Sequence, residues 1–151
     1  MGVDIVTNWL QHRKWVKSVT SKEGDKSYQE VGVDLVVDKK DSTYDWVEVK
    51  SDTWKTPNFF FETVSNDKRG TPGCFMKTKA HYLYYVMLNL FEFYILPVQQ
   101  VRGWFLANRS DFVEKKTSTT RRGQVVYNTI GALVPRKRVV EEVPCVKLIL
   151  Y

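Results

Sequence analysis

Apolar and polar residues alternate along the chain in a pattern that predicts a helix, three consecutive strands and a second helix. Residues 1–20 have the amphipathic repeat that is typical of a helix. The next three segments resemble strands: residues 31–38 are β-branched, residues 44–50 alternate, and residues 59–64 are aromatic. Residues 77–90 place apolar side chains three and four positions apart, which predicts the second helix.

The last third of the chain is predicted to consist mostly of strands. A short strand is expected over residues 104–107, and a short helix is expected over residues 110–116. Two further strands are expected over residues 124–133 and 143–150, on either side of a basic loop at residues 136–138.

No repeat or linker divides the sequence, so a single domain is expected over residues 1–151. A fourth strand over residues 91–96 ends its core, which gives a core of residues 1–96 and an extension of residues 97–151. This order of elements predicts an α/β (α+β) fold with a mixed central sheet, flanking helices and a β-rich C-terminal extension.

Composition excludes several classes of protein. The chain is 43% apolar and 14% aromatic, which is enough to bury a core and excludes a disordered protein. Two cysteines and two histidines, far apart in sequence, argue against a disulfide framework and a structural zinc site. The chain shows neither a secretory signal nor an apolar stretch long enough for a membrane span, so a cytoplasmic protein without membrane contact is expected.

Charge is distributed unevenly between the two parts of the chain. Residues 1–66 contain 9 basic and 11 acidic residues, whereas residues 67–151 contain 14 basic and 6 acidic residues. A basic half beside a half that carries carboxylates suggests a polyanionic partner, with a metal-binding or catalytic group set against it.

Asp34, Glu48 and Lys50 are the residues whose pattern points most directly to chemistry. Asp34 interrupts an apolar strand, where a carboxylate is costly unless it is exposed, paired or bound to a metal. Glu48 and Lys50 lie two positions apart, on one face of the next predicted strand. Two converging carboxylates favour a hard cation such as Mg²⁺, and a nearby lysine can assist an attacking water or stabilise charge on a phosphate.

This arrangement resembles the PD-(D/E)XK nuclease superfamily, whose core is restriction-endonuclease-like. The resemblance rests on Asp34, the following thirteen residues and the Glu48-Val49-Lys50 triplet, and it extends over residues 1–96. The surrounding sequence is similar to small phage or viral nucleases and to members that resemble Holliday-junction resolvases. Val33 stands where the family motif has proline.

The resemblance implies a role for each residue of the motif. Asp34 and Glu48 would bind Mg²⁺ (or Mn²⁺), the carbonyl of Val49 would complete the metal shell, and Lys50 would be the catalytic lysine. Glu62, on a strand expected beside this one, and Asp4, on the first helix, are auxiliary candidates. The implied activity is that of a Mg²⁺-dependent endo- or exodeoxyribonuclease.

Eight further residues are candidates for contacts with nucleic acid, with DNA favoured as the substrate. The basic candidates would contact phosphates, and the aromatic candidate would stack on a base. They are Trp54, Lys77, Lys79, Arg121, Arg122, Arg136, Lys137 and Arg138. The basic clusters of the tail are equally consistent with solvated loops.

Two other functions remain open at this stage. One is a catalytically inactive nuclease fold that binds nucleic acid, and the other is a viral adaptor that binds a protein partner. The resemblance implies a homodimer as one arrangement and, for a viral protein, the host cytoplasm as its location. The sequence does not decide between DNA and RNA, or between single-stranded, duplex and branched substrates.

Overall fold

A stripe of small and apolar residues explains the first helix of the computed structural model, which describes residues 1–149. Helix α1 (Gly2–Gln11) buries Gly2, Val6 and Leu10, which recur every four residues and therefore share one side. A Cβ at Gly2 would lie 1.8 Å from Oγ of Ser51, so glycine lets this side approach the sheet closely. The helix predicted over residues 1–20 is therefore too long, since it ends at Gln11.

Five helices and ten strands, with two 3₁₀ turns (Leu88–Leu90 and Arg109–Asp111), account for the regular structure of the described residues. In chain order they are α1 (Gly2–Gln11), β1 (Val16–Ser21), α2 (Lys26–Glu30), β2 (Leu35–Lys39), β3 (Tyr44–Asp52), β4 (Asn58–Asn66), β5 (Thr71–Pro72), α3 (Cys74–Lys77), β6 (Tyr82–Met87), β7 (Glu92–Pro97), α4 (Val98–Asn108), β8 (Val113–Arg121), β9 (Gln124–Pro135), α5 (Arg136–Glu142) and β10 (Val146–Ile149). Within residues 1–149, no helix is both long and apolar enough to cross a membrane.

The first of two structural units contains a six-stranded mixed sheet. Among the described residues, this unit comprises residues 1–55, 78–99 and 144–149. Its strand order is β1-β2-β3-β6-β7-β10, in which β3 and β6 are parallel and all other neighbours are antiparallel. The predicted α+β class with a mixed sheet is thus confirmed.

The second unit contains a four-stranded antiparallel sheet and comprises residues 56–77 and 100–143. Its strand order is β5-β4-β9-β8. Phe59 and Phe61 of β4 are buried, and Phe61 stacks on Phe75 with ring centroids 4.1 Å apart. Phe105 of α4 contacts both of these stacked rings edge-on.

Two predicted helical segments form strands in the first sheet. The end of the predicted first helix is β1, because the β-branched residues from Val16 onward pair with β2. The predicted second helix, residues 77–90, instead contains the end of α3 and then β6. Strand β6 is central and buried from Leu83 to Met87. The sequence of such a continuously apolar segment has no alternation of polar residues, so periodicity does not distinguish a buried strand from a buried helix.

The aromatic segment 59–64 is a strand, as predicted, but it belongs to the second sheet. It forms the middle of β4, which pairs with β9 and β5 and not with β3. The strands around β3 are instead β2 and β6. The expected division at residue 96 also differs from the two units, because β10 of the tail belongs to the first sheet.

The tail contains more helix than expected. The strand predicted over residues 104–107 lies inside α4, whose buried Val98, Val101 and Phe105 have helical spacing. The helix predicted over residues 110–116 is wrong, because this segment ends a 3₁₀ turn and begins β8.

Of the other predictions for the tail, the basic loop is wrong and the two strands are confirmed. The basic loop predicted at residues 136–138 begins α5, in which Lys137–Glu141 and Arg138–Glu142 form ion pairs one turn apart. The strands predicted over residues 124–133 and 143–150 are β9 and β10, although residue 150 lies outside the described part of the chain.

Gly32 should tolerate alanine poorly, because two effects act on it. Its φ is +72°, and an added Cβ would lie 2.7 Å from Oγ1 and 3.1 Å from Cα of Thr78. The Gly32→Ala variant should lose about 2 kcal/mol or more of its free energy of unfolding, from left-handed strain plus this clash. Gly24 has a φ of +81° but nothing within 4 Å of an added Cβ, so Gly24→Ala reports the strain alone. Urea unfolding measures both, and equal losses would contradict the clash.

Candidate functional site

Asp34 lies directly before β2, where its backbone joins two neighbouring strands. Its N–H donates to the carbonyl of Val47 at 2.8 Å, and its carbonyl accepts from the N–H of Lys22 at 2.7 Å. Its side chain makes a third link, because Oδ2 accepts a hydrogen bond from the N–H of Val49 at 2.8 Å. The Asp34 carboxylate therefore lies against the backbone of the Glu48-Val49-Lys50 segment.

Glu48 and Lys50 point away from helix α1, because side chains alternate along β3. Val47 is buried in the core cluster that contains Val6 and Leu10 of α1, so its neighbour Glu48 faces the opposite side. Oε2 of Glu48 is buried from solvent. A carboxylate oxygen withdrawn from water is stabilised by a cation or by donors close to it.

Lys50 lies over an aromatic ring of the adjacent parallel strand. It is in register with Tyr85, and its Nζ is 5.8 Å from the centroid of the Tyr85 ring. Tyr85 is fully buried, and its hydroxyl donates to Oδ2 of Asp52 at 3.1 Å. Oδ1 of Asp52 accepts the N–H of Trp54 at 2.8 Å. The ring and the carboxylate that fixes it restrict the positions that the lysine head can adopt.

Gln29 supports the Asp34 side of the site. Its Nε2 donates to the carbonyls of Val33 at 2.8 Å and Lys22 at 3.1 Å, and it lies 3.5 Å from Oδ1 of Asp34. One amide therefore links helix α2 to the segment that carries the carboxylate.

Asp25 begins the short helix that carries Gln29. Its Oδ1 accepts hydrogen bonds from the hydroxyl and the N–H of Ser27, at 2.8 and 3.1 Å. These bonds, led by the one from the hydroxyl, lower the pKa of the Asp25 carboxyl below its usual value. The cap satisfies the first turn of a helix that is only five residues long.

The sequence analysis did not identify Gln29, Asp52 or Tyr85 as part of the site. Asp52 lies two positions after Lys50 and therefore on the same face of β3, so the alternation of the strand could have indicated it. Tyr85 was assigned to a helix, and Gln29 is linked to Asp34 only through the fold.

The two auxiliary carboxylates belong to other elements than Asp34 and Glu48. Asp4 is 91% exposed, and its ion pair is with the N-terminal ammonium at 3.9 Å. Glu62 lies on β4, opposite Gly131 of β9, and therefore belongs to the second sheet. The expectation that its strand neighbours that of Glu48 is wrong. Trp54 is 73% exposed.

Lys77 and Lys79 do not share a helix, contrary to the prediction. Lys77 ends α3, and Lys79 lies between α3 and β6 and donates its N–H to the carbonyl of Val31. His81 has a structural contact, since its Nδ1 accepts the N–H of Trp46 at 2.8 Å. The backbone N–H of His81 also donates to the carbonyl of Trp46, so this residue secures the start of β6 against β3.

Arg138 is held by neighbours within its own unit. Its Nε donates to Oε2 of Glu142 at 2.6 Å, and its Nη2 donates to Oδ2 of Asp111 at 3.0 Å and Oδ1 of Asn108 at 3.1 Å. The carboxylates of Glu142 and Asp111 raise the pKa of Arg138. These contacts give Arg138 a structural role in holding α5.

The remaining basic candidates of the tail differ in exposure. The N–H and side chain of Arg136 donate to the carbonyls of Pro57 and Thr56, respectively, so this arginine is partly engaged at the start of α5. Lys137 is 88% exposed and lies 3.9 Å from Glu141. Arg121 and Arg122 are exposed at the turn between β8 and β9.

The donors around Asp34 suit a hard divalent ion. The carboxylates of Asp34 and Glu48 and the carbonyl of Val49 offer only oxygen atoms, which are the ligands that Mg²⁺ prefers. In residues 1–149, no group of three or more His, Cys, Asp or Glu side chains is arranged to hold a metal. A site here would therefore rest on two carboxylates and the carbonyl of Val49, with water or phosphate oxygens completing the shell.

Comparison with protein-family models, curated proteins and solved structures returned no significant match.

Proposed function

We propose that this protein is a metal-dependent nuclease with a restriction-endonuclease-like core that hydrolyses phosphodiester bonds, with DNA as the favoured substrate. The hydrogen bond between Oδ2 of Asp34 and the N–H of Val49 carries the proposal. It holds one carboxylate against the segment that bears a second carboxylate and a lysine. Metal ligands beside a fixed positive charge are the groups that phosphodiester hydrolysis needs.

Each residue of the site has a part in the proposed reaction. Asp34 and Glu48 would hold the ion, and a bound Mg²⁺ supplies Lewis-acid activation of water and neutralises charge on the phosphate. Lys50 orients the attacking water and stabilises the negative charge that develops on the phosphate oxygens. Tyr85 positions Lys50, and Gln29 positions Asp34.

A cleavage assay tests the proposal. Labelled single-stranded, duplex and branched DNA and RNA are incubated with the protein in Mg²⁺, Mn²⁺ or EDTA. The expected result is metal-dependent cleavage that is lost in EDTA and in Glu48→Gln, which removes the charge with little change in size. Glu23→Gln, an exposed residue of the same unit, is the matched control and should cut normally.

A nucleic-acid-binding protein without turnover is the second candidate, favoured by the excess of basic residues after residue 66. Binding that weakens steeply with salt, without cleavage in any metal, would support it over the nuclease. Absence of both cleavage and binding would point instead to the third candidate, an adaptor with a protein partner.

Tyr85→Phe keeps the ring under Lys50 but removes the hydroxyl that donates to Asp52. The ring is then held less firmly, so cleavage should be slower. The expected fall in the single-turnover rate is about tenfold, equivalent to about 1.4 kcal/mol, with little change in substrate affinity. Tyr84→Phe removes a buried hydroxyl from the same strand but from its opposite face, so it is the control. Equal rates for the two variants would argue against a positioning role for Tyr85.

A further inference from the structure

The hairpin of β8 and β9 extends beyond the part of the second sheet in which β9 also pairs with β4. Strand β9 pairs with β4 only from Ile130 to Pro135, but it pairs with β8 from Gln124 to Leu133. The contacts of the β4 side with β9 continue as far as Asn128. In the regular pairing of the sheet, residues 124–127 of β9 are therefore matched only by β8, and residues 119–127 form a two-stranded tip.

A cluster of hydrogen bonds fixes the base of this tip. Oδ1 and Oδ2 of Asp67 accept the N–H and the side-chain Nδ2 of Asn128 at 2.8 and 3.0 Å, and the N–H of Asp67 donates to the carbonyl of Asn128 at 3.0 Å. On the other strand, the hydroxyl of Ser118 donates to Oδ1 of Asn128 at 2.7 Å. A two-stranded hairpin is marginal by itself, so this anchor gives the tip a defined direction.

The end of the tip presents two arginines to solvent. Arg122 and Gly123 have φ values of +52° and +77°, which are typical of the tight two-residue turn that joins two strands. Arg121 and Arg122 are exposed, and no ion pair involves either of them in the part of the chain that the structure describes. Lys68 and Arg69 are exposed in the turn that begins at Asp67, beside the anchor.

We propose that residues 119–127 form an arm that enters the major groove of duplex DNA, with Arg121 and Arg122 contacting the phosphates or base edges. Three to four residues of extended strand span about 10–13 Å, which exceeds the depth of about 8.5 Å of a groove that admits a two-stranded ribbon. The inference rests on the proposed function, because it takes nucleic acid as the partner.

The composition of the arm favours duplex DNA over the other nucleic acids. Residues 119–126 of the arm contain no aromatic side chain, and Tyr127 lies at the base of the arm and is half-buried. Proteins that bind single strands instead present exposed aromatic platforms for stacking. The major groove of an RNA duplex is too narrow and deep for side chains to read. Within the arm, the hydroxyls of Thr119 and Thr120 add neutral groups that bind phosphate oxygens.

A binding assay in EDTA tests the arm without interference from cleavage. Fluorescence anisotropy measures the affinity of the full chain for a labelled 20-base-pair duplex and for one of its strands across a series of salt concentrations. The test variant combines Arg121→Gln with Arg122→Asn, since asparagine accepts a positive φ. The control, Lys14→Gln with Lys26→Gln, removes the same charge from exposed positions of the other unit.

The arm variant should bind the duplex at least about tenfold more weakly, and its plot of log affinity against log salt should be shallower by about 2, since each phosphate contact contributes about 0.9. Arg121→Gln alone, which leaves the turn intact, should change this slope by about 1. The single strand should lose less than about threefold, as should the duplex with the control variant. An unchanged salt dependence of duplex binding, or equal losses of affinity for duplex and single strand, would contradict the proposed role of the arm.

Cleavage in Mg²⁺ separates this inference from the proposed function. If Lys50→Ala loses cleavage but the arm variant keeps wild-type duplex affinity, the arm is wrong and the nuclease stands. If duplex binding depends on the arm but no metal supports cleavage, the catalytic proposal is wrong and the arm stands.

Discussion

Lys50→Ala is expected to lower the rate of Mg²⁺-dependent cleavage by about 10²–10³-fold, the usual effect of removing one group that stabilises transition-state charge. The lysine head lies over the Tyr85 ring, on the same face of β3 as Glu48. Truncation removes the one positive charge that the motif supplies, while the strand pairing of its backbone stays intact. Single-turnover cleavage at saturating protein measures the chemical step directly.

Two further variants sharpen this test. Lys50→Arg keeps the charge but replaces a compact ammonium by a planar guanidinium that does not lose its proton, so little activity should return. Lys40→Ala removes an exposed lysine from the turn between β2 and β3 and should cut at the wild-type rate. A Lys50→Ala rate within about threefold of wild type would remove Lys50 from the mechanism, because such a change is worth less than 1 kcal/mol.

Asp34→Asn should abolish cleavage while leaving the fold intact. The asparagine Oδ1 can still accept the N–H of Val49, so the link between β2 and β3 survives, but the negative charge that would bind a cation is lost. We expect a fall in rate of about 10²-fold or more, with a melting temperature close to that of the wild type.

Asp34→Leu removes both the negative charge and the acceptor for the N–H of Val49. Comparison with Asp34→Asn therefore separates the catalytic role of Asp34 from its structural role. Asp34→Leu should lose cleavage and also stability, by about 1–3 kcal/mol, because the N–H of Val49 loses its acceptor. Thermal unfolding of the three proteins gives the comparison. If Asp34→Asn cleaves DNA as fast as wild type, the carboxylate has only a structural role, and the metal site must lie elsewhere.

The placement of Asp34 against β3 was predictable because its signals are local. The alternation of Val47, Glu48, Val49 and Lys50 defines which side chains share a face of β3. Asp34 was predicted to interrupt an apolar strand, where a carboxylate needs a partner, and it lies directly before β2. Strand β3 forms as predicted, and the turn before it is short, so the neighbouring strands bring Asp34 to the motif.

The strands around β3 were less predictable, because sheet membership depends on residues far apart in sequence. Strand β6 is the parallel neighbour of β3, but its apolar run also fits a buried helix. Strand β4 follows β3 directly in sequence, yet its partner β9 lies more than sixty residues further on. Glu62 was therefore assigned to the wrong sheet, and Tyr85 was missed as the neighbour of Lys50.

The tail shows the same limit in a different form. All but one residue of β8 are exposed, so no hydrophobic alternation indicates this strand. Helix α5 is stabilised by ion pairs one turn apart, which are visible in the sequence only when a helix is already assumed. Arg121 and Arg122 were candidates for phosphate contacts, but the anchored ribbon that carries them depends on Asp67, which is far away in sequence.

The most direct test of the proposed nuclease is the rate of DNA cleavage in Mg²⁺ by wild-type protein and Glu48→Gln, purified and assayed in parallel. We expect cleavage by the wild type that stops in EDTA, and a Glu48→Gln protein that is folded but inactive. Equal cleavage by both proteins would contradict the assignment of the site, and no cleavage by the wild type on any substrate or metal would contradict the nuclease itself.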